Sequence, residues 1–188
     1  DLLRLANLAV RDLDAIAVDV GPGSFTGLRI GISLASSLAY GQDKPVVRVT
    51  GLDALLSVGQ RLAGAAADAT VVVPIIFGRK NEVYVLYEGE AKVVDAVEFL
   101  GEIRRDRKYL FIGDGYLAFK DLIAELGLDN LVVDESFHYI KGDVIASCGL
   151  AGLQAGLGIS PIAVEPVYLR RPEVDINLEM KLKINDKC

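Results

Sequence analysis

Val18-Asp19-Val20-Gly21-Pro22-Gly23-Ser24-Phe25-Thr26-Gly27-Leu28-Arg29-Ile30-Gly31 decides how the rest of the chain is read. Its first residues complete an apolar run, 15–20, that has the length and composition of a buried strand. Gly21-Pro22-Gly23 breaks the run, and Ser24 or Thr26 then offers a side-chain oxygen to cap a helix. That helix runs to about Tyr40 and stops at Gly41. A second strand follows at 46–50, and Gly51 and Asp53 open a second helix that runs through Leu62 into the alanine-rich stretch 63–67. Strand–helix–strand–helix predicts a parallel sheet with crossover helices.

After residue 67 the rhythm changes. Residues 71–77, 82–87 and 91–94 read as three short strands joined by Gly78-Arg79-Lys80-Asn81 and Glu88-Gly89-Glu90, an antiparallel meander. A helix at 96–104, a strand at 109–112, the turn Gly113-Asp114-Gly115, a helix at 116–126 and a short strand at 131–133 come next. The last helix is expected at 143–157, with Asp143 near its cap and Gly158 after its end. The tail holds Pro161, Pro166 and Pro172, then charged residues, and is expected to run extended over the surface. The expected organisation is two α/β units, 1–67 and 68–157, and a tail, 158–188.

Two features of the opening motif carry candidate function. Gly27, Gly31, Ala35 and Ala39 recur every four residues and predict a flat stripe poor in side chains, which admits a second helix at close range. The same stripe can equally face the chain's own sheet, although Leu28, Ile32 and Leu38 on the adjoining face can cover that sheet instead. Arg29, beside the stripe, is placed for a cross-subunit ion pair or for solvent. The loop Gly21, Gly23, Ser24 and Thr26 leads into a helix N-terminus, whose free N–H groups and dipole can hold a phosphate. Its glycines also serve if they only let strand and helix pack closely, and neither a Walker lysine nor G-x-G-x-x-G spacing is present.

Composition bounds the classes. At 188 residues the chain buries a real core, about 70% of the surface an unfolded chain exposes. The residues are 52% hydrophobic, and the mean hydropathy is +0.36, yet no apolar run approaches the ~20 residues a bilayer requires. The excess hydrophobicity therefore points to buried strands and a subunit interface. A net charge of −6 and a pI near 4.9 disfavour a stand-alone grip on nucleic acid, which relies on basic side chains. The two cysteines, Cys148 and Cys188, form neither a disulfide framework nor a CxxC pair, which fits a reducing cytoplasm. Leu2, Leu5, Ala6 and Ala9 share one helical face, so the chain reads as starting inside a helix.

The catalytic inventory is thin. His138, the single histidine, excludes a two-histidine metal site, and no nucleophile elbow accompanies it. Asp114, Asp134 and Glu135 are carboxylates able to meet Mg²⁺, but no spacing singles them out. Nothing beside Cys148 or Cys188 activates a thiolate. The basic run Arg104-Arg105-Asp106-Arg107-Lys108 sits at an expected helix C-terminus, where the helix dipole favours cations. A contribution of that run to RNA binding within a complex stays open.

The 18–31 motif closely resembles the signature of the TsaB (YeaZ) family. The resemblance continues through 33–39, Pro45-Val46-Val47 and Gly51-Leu52-Asp53-Ala54-Leu55. It returns more weakly at Pro74, Glu82-Val83-Tyr84, Gly113-Asp114-Gly115 and Glu165-Pro166-Val167-Tyr168-Leu169-Arg170-Arg171. It implies an α/β, actin-like ATPase (ASKHA) fold of two RNase H-like lobes, with the N-terminal strands and the Asp-Thr-Ser type loop of the first lobe missing here. One departure is Phe77, which stands where the family usually has an acidic residue.

The resemblance also implies a non-catalytic subunit in the formation of N6-threonylcarbamoyladenosine at position 37 of tRNAs reading codons that begin with A. Pairing would run through the helix bearing Gly27, Arg29, Gly31, Ile32, Ala35 and Ala39, with a TsaD-like catalytic subunit or, alone, with a second copy. A TsaE-like ATPase would dock at the junction, tRNA would be met only through the complex, and ATP and metal would belong to the partner subunits. Two alternatives stay open: an actin-like nucleotide-binding ATPase or M22-type peptidase, and a self-associating module with duties elsewhere.

Overall fold

A computed structural model describes residues 2–64, 69–128 and 131–169. Residues 65–67 of the expected alanine-rich helix end, and the tail from Arg170 with Arg171, Pro172 and Cys188, lie outside the described residues. The chain opens with the short helix α1 (Leu2–Leu5). Strand β1 (Ile16–Asp19) and strand β2 (Val46–Val49) pair in parallel, Ile16 opposite Val46 and Asp19 opposite Val49, with helix α2 (Phe25–Tyr40) as their crossover. Of the two candidate caps, Ser24 holds the N-cap and its hydroxyl accepts from the Gly27 N–H at 3.3 Å. Thr50 caps the next helix, α3 (Gly51–Ala63), by accepting from the Asp53 N–H at 3.1 Å.

The meander is present as strands β3 (Thr70–Phe77), β4 (Glu82–Tyr87) and β5 (Glu90–Asp95). Glu88 and Gly89 both take positive φ between β4 and β5, the backbone that a two-residue hairpin turn demands. Helix α4 (Ala96–Glu102) leads to strand β6 (Lys108–Ile112), which runs parallel to β3 and completes a sheet of order β5-β4-β3-β6. β3 pairs with β6 through Pro74 and with β4 from Ile75 onward, so the residue without an N–H stands at the change of partner. Helix α5 (Asp114–Glu125) and helix α6 (Gly142–Gln154) follow.

One local expectation changes. Residues 131–133 form no strand; Leu131 only donates to the Tyr109 carbonyl at 2.8 Å, and Val132 is 72% exposed, so no burial drives pairing there. The region of His138 forms a 3₁₀ turn, Glu135–His138, and His138 itself is buried.

Packing crosses the division expected at residue 67. α3 lies on β3 and β6 of the four-stranded sheet, while α6 returns to lie on β1 and β2. The α6 approach is close because Gly149 faces Ala17, where any larger side chain would collide. Three buried clusters result. One fills the four-stranded sheet around Tyr109, Phe111 and Leu100; one sits around α3 between the sheets; one holds α2 on β1 and β2. No helix among the described residues is long and apolar enough to cross a membrane.

Candidate partner interface and strand-end junction

Each four-residue step along an α-helix overshoots one turn by about 40°. Three such steps carry Gly27–Gly31–Ala35–Ala39 about 120° round the cylinder, so the expected flat stripe is a spiral. Gly27 is exposed, Gly31 half-buried with no side chain within 4 Å of where its Cβ would stand, and Ala35 and Ala39 are buried. Leu28, Ile32, Ala35 and Ala39 form the core-facing side, clustered with Val18, Val20 and Val46. Ile32, Ala35 and Ala39 therefore belong to this chain's own interior, a correction to the single-stripe reading. Leu38, expected to cover the sheet, is 41% exposed instead.

The outward side is apolar as well. Ile30 is 65% exposed and Leu34 60%, and they rise beside the open surface at Gly27 and Gly31. Their own i, i+4 spacing was a signal in the sequence: a helix apolar on opposite sides is covered on both. Single exposed leucines are ordinary, whereas a row of large apolar side chains along one helix is a candidate interaction surface.

Arg29 is engaged within the chain. Its guanidinium lies 4.0 Å from the centre of the Phe25 ring, and its Nε donates to the Tyr168 hydroxyl at 3.4 Å. Phe25 and Tyr168 stack at 5.6 Å, and the Val167 N–H donates to the Val20 carbonyl at 2.7 Å. The stretch Glu165-Pro166-Val167-Tyr168 is thus strapped along α2, leaving a cavity of about 420 Å³ against Arg29, Ile32 and Ser33. Sequence reading missed Phe25 and Tyr168 as members of this surface, since 143 positions separate them and no local pattern links them.

The parallel strands β1, β2, β3 and β6 end in Asp19, Val49, Phe77 and Ile112, and helices begin just beyond three of these ends. Asp19 Oδ1 accepts from the Gly21 N–H at 2.8 Å, and the Gly51 N–H donates to the Gly21 carbonyl at 3.0 Å. Burial raises the Asp19 pKa above the usual 3.8, against the N–H groups of Gly21 and Gly51, which favour the charged form. The expected phosphate loop thus has its Gly21 N–H committed to a carboxylate, Pro22 has none to offer, and Ser24 takes that of Gly27. Asp114 Oδ1 accepts from the Phe77 N–H at 2.8 Å, so a carboxylate does reach the position where Phe77 replaces the family's acid. Among the described residues no group of three or more His, Cys, Asp or Glu side chains is placed to hold a metal.

Two sheets with exchanged helices and parallel strand ends meeting at a junction define an α/β protein of the actin-like class. The family model described as "TsaD: tRNA N6-adenosine threonylcarbamoyltransferase" matches residues 1–177. The chain belongs to this family, and two named relatives that it matches along most of its length are TsaB proteins. The tRNA threonylcarbamoyladenosine biosynthesis protein TsaB of Bacillus subtilis is 29% identical over 93% of this chain and 77% of its own. That of Escherichia coli is 29% identical over 90% and 76%. An uncharacterized Mycobacterium bovis protein reaches 39% over 89% of this chain and 69% of its own. A crystal structure of a Pseudomonas aeruginosa protein, described as uncharacterized with similarity to peptidase YEAZ, superposes with a TM-score of 0.70. It is 26% identical and covers 90% of this chain and 80% of that one.

Proposed function

We propose that this chain takes part in forming N6-threonylcarbamoyladenosine in tRNA as a supporting subunit that contributes surface, with the chemistry carried by a TsaD-like partner. The observation that carries this reading is the outward apolar row Ile30 and Leu34 on α2, beside the side-chain-free positions Gly27 and Gly31. Burying that row against a second helix removes apolar area from water at about 25 cal/mol per Å². Gly27 and Gly31 let the backbones approach. The single histidine, walled in by Tyr116, leaves this chain without the histidine pair expected of the catalytic relative. The net charge of −6 supports contact with tRNA only through the complex. A second copy occupies the α2 face when the partner is absent, a TsaE-like ATPase docks at the junction of the pair, and ATP and metal reside in the partner subunits.

The test is the modified-nucleoside content of bulk tRNA, by mass spectrometry, in cells depleted of the full-length protein and supplied with wild-type or Leu34→Asp chain. Loss of the nucleoside, restored by wild type and not by the variant, supports the reading. Unchanged nucleoside on depletion overturns the pathway; full rescue by a variant that no longer pairs in a mass measurement overturns the α2 interface.

The strand-end junction favours a second reading, an actin-like nucleotide binder, because ligands of open α/β sheets sit beyond the carboxyl ends of parallel strands. Direct calorimetry with Mg-ATP separates the two; saturable binding to the isolated chain would bring this reading forward.

A further inference from the structure

His138 is 2% exposed, and the Gly113 N–H donates to its Nδ1 at 3.2 Å. An accepting Nδ1 puts the ring proton on Nε2, which is buried with no hydrogen-bond partner among the described residues, and the residue lines a cavity of about 70 Å³. The ring stacks on Tyr116 of α5 with centroids 4.7 Å apart. We propose that His138 is a pH-sensitive latch, holding residues 135–141 onto the β6–α5 junction while the imidazole is neutral and releasing them when it is protonated.

The chemistry follows from the two nitrogens. Protonation places a hydrogen on Nδ1, pointing at another donor, so the bond to Gly113 is lost. The new charge would also lie beside Leu55 of α3, Ile76 of β3 and Ile140, all apolar. The titratable and charged groups around the ring are Asp134 and Glu135 on its own turn, Asp114 and Tyr116 on α5, and Tyr139. Asp134 and Glu135 favour the cation, but burial outweighs them and holds the pKa below 6.5. The sign is then determined. Below about pH 6.5 the released segment binds a proton that the latched one refuses, so opening increases by up to about tenfold per pH unit as pH falls, until the latched pKa is reached. Release also frees Ile140, which packs in the cluster between the sheets and lies against Gly51.

Because His138 is the only histidine, its Cε1–H resonance in the full chain needs no disentangling. The experiment follows that resonance and the exchange protection of the Gly113 amide between pH 7.5 and 5, in wild type and His138→Asn, whose oxygen can accept from Gly113 without titrating. The expected result is a His138 transition below pH 6.5 and a Gly113 protection factor that falls along with it in wild type and stays flat in the variant. A His138 transition at or above 6.5, or wild-type protection independent of pH, overturns the proposal. Should Asn fail to hold Gly113 at neutral pH, the wild-type titration decides alone.

Discussion

In the four-stranded sheet, Tyr109, Phe111, Val73 and Val85 are fully closed from solvent, and α4, through its buried Leu100, and α5 cover the sheet. Around β1 and β2, α2 buries Leu28, Ile32, Ala35 and Ala39 yet leaves Ile30 and Leu34 mostly in water. The first region satisfies its apolar side chains from within; the second holds part of its apolar surface in reserve. The helix that looks most like a core element is therefore also the one that reaches outward, and its two sides should answer to substitution differently.

Phe111→Ala tests the self-contained side with the largest effect. A cavity in a closed cluster that also loses the 5.3 Å stack on Tyr109 should cost about 3–5 kcal/mol in chemical denaturation. A loss under about 1 kcal/mol, well short of the large-to-small range, would show that this sheet is not the rigid half. Ala35→Leu comes next. Ala35 is buried in one cluster with Val18 and Val46, so overpacking should cost about 1–3 kcal/mol, with any loss of pairing secondary to unfolding. Retained stability together with lost pairing would return Ala35 to the interface.

Asp19→Asn probes the junction with a smaller change. Burial raises the Asp19 pKa above 3.8, so the native state holds that proton more readily than the unfolded chain. Stability is then lost as pH rises through the window from 3.8 to the raised value. Asparagine keeps an oxygen for Gly21, so the variant should be at least as stable at pH 7, with the gap closing below pH 4. A variant less stable than wild type at pH 7 would show that the N–H groups of Gly21 and Gly51 govern instead. The smallest expected stability change is that of Leu34→Asp, within about 0.5 kcal/mol for an exposed position, while the proposed pairing through α2 should be lost. A large stability loss there would erase the distinction between the two sides of α2.

Much of the fold was readable from local signals. Ser24 at the cap, Glu88-Gly89 at the hairpin and the apolar runs at β1, β3 and β6 act on neighbours a few residues away, and the structure keeps each of them. The candidate site was readable only in part. The motif at 18–31 placed helix α2, but its repeat of four was read as one face, whereas the helical period turns it from Gly27 in solvent to Ala39 in the core. Arg29 looked free because its partners, Phe25 aside, arrive from Tyr168, 139 positions later.

Most strand, turn and helix identities and the change of rhythm after residue 67 were written in residue order, because caps, turns and periodicity operate over one or two turns of chain. Which side of α2 is buried, that α3 and α6 exchange sheets, and that His138 lies in the interior were settled only by tertiary packing. Burial is a property of distant surfaces meeting, and Val20 with Val167, Ala17 with Gly149 and Gly113 with His138 come together only once the whole chain has folded.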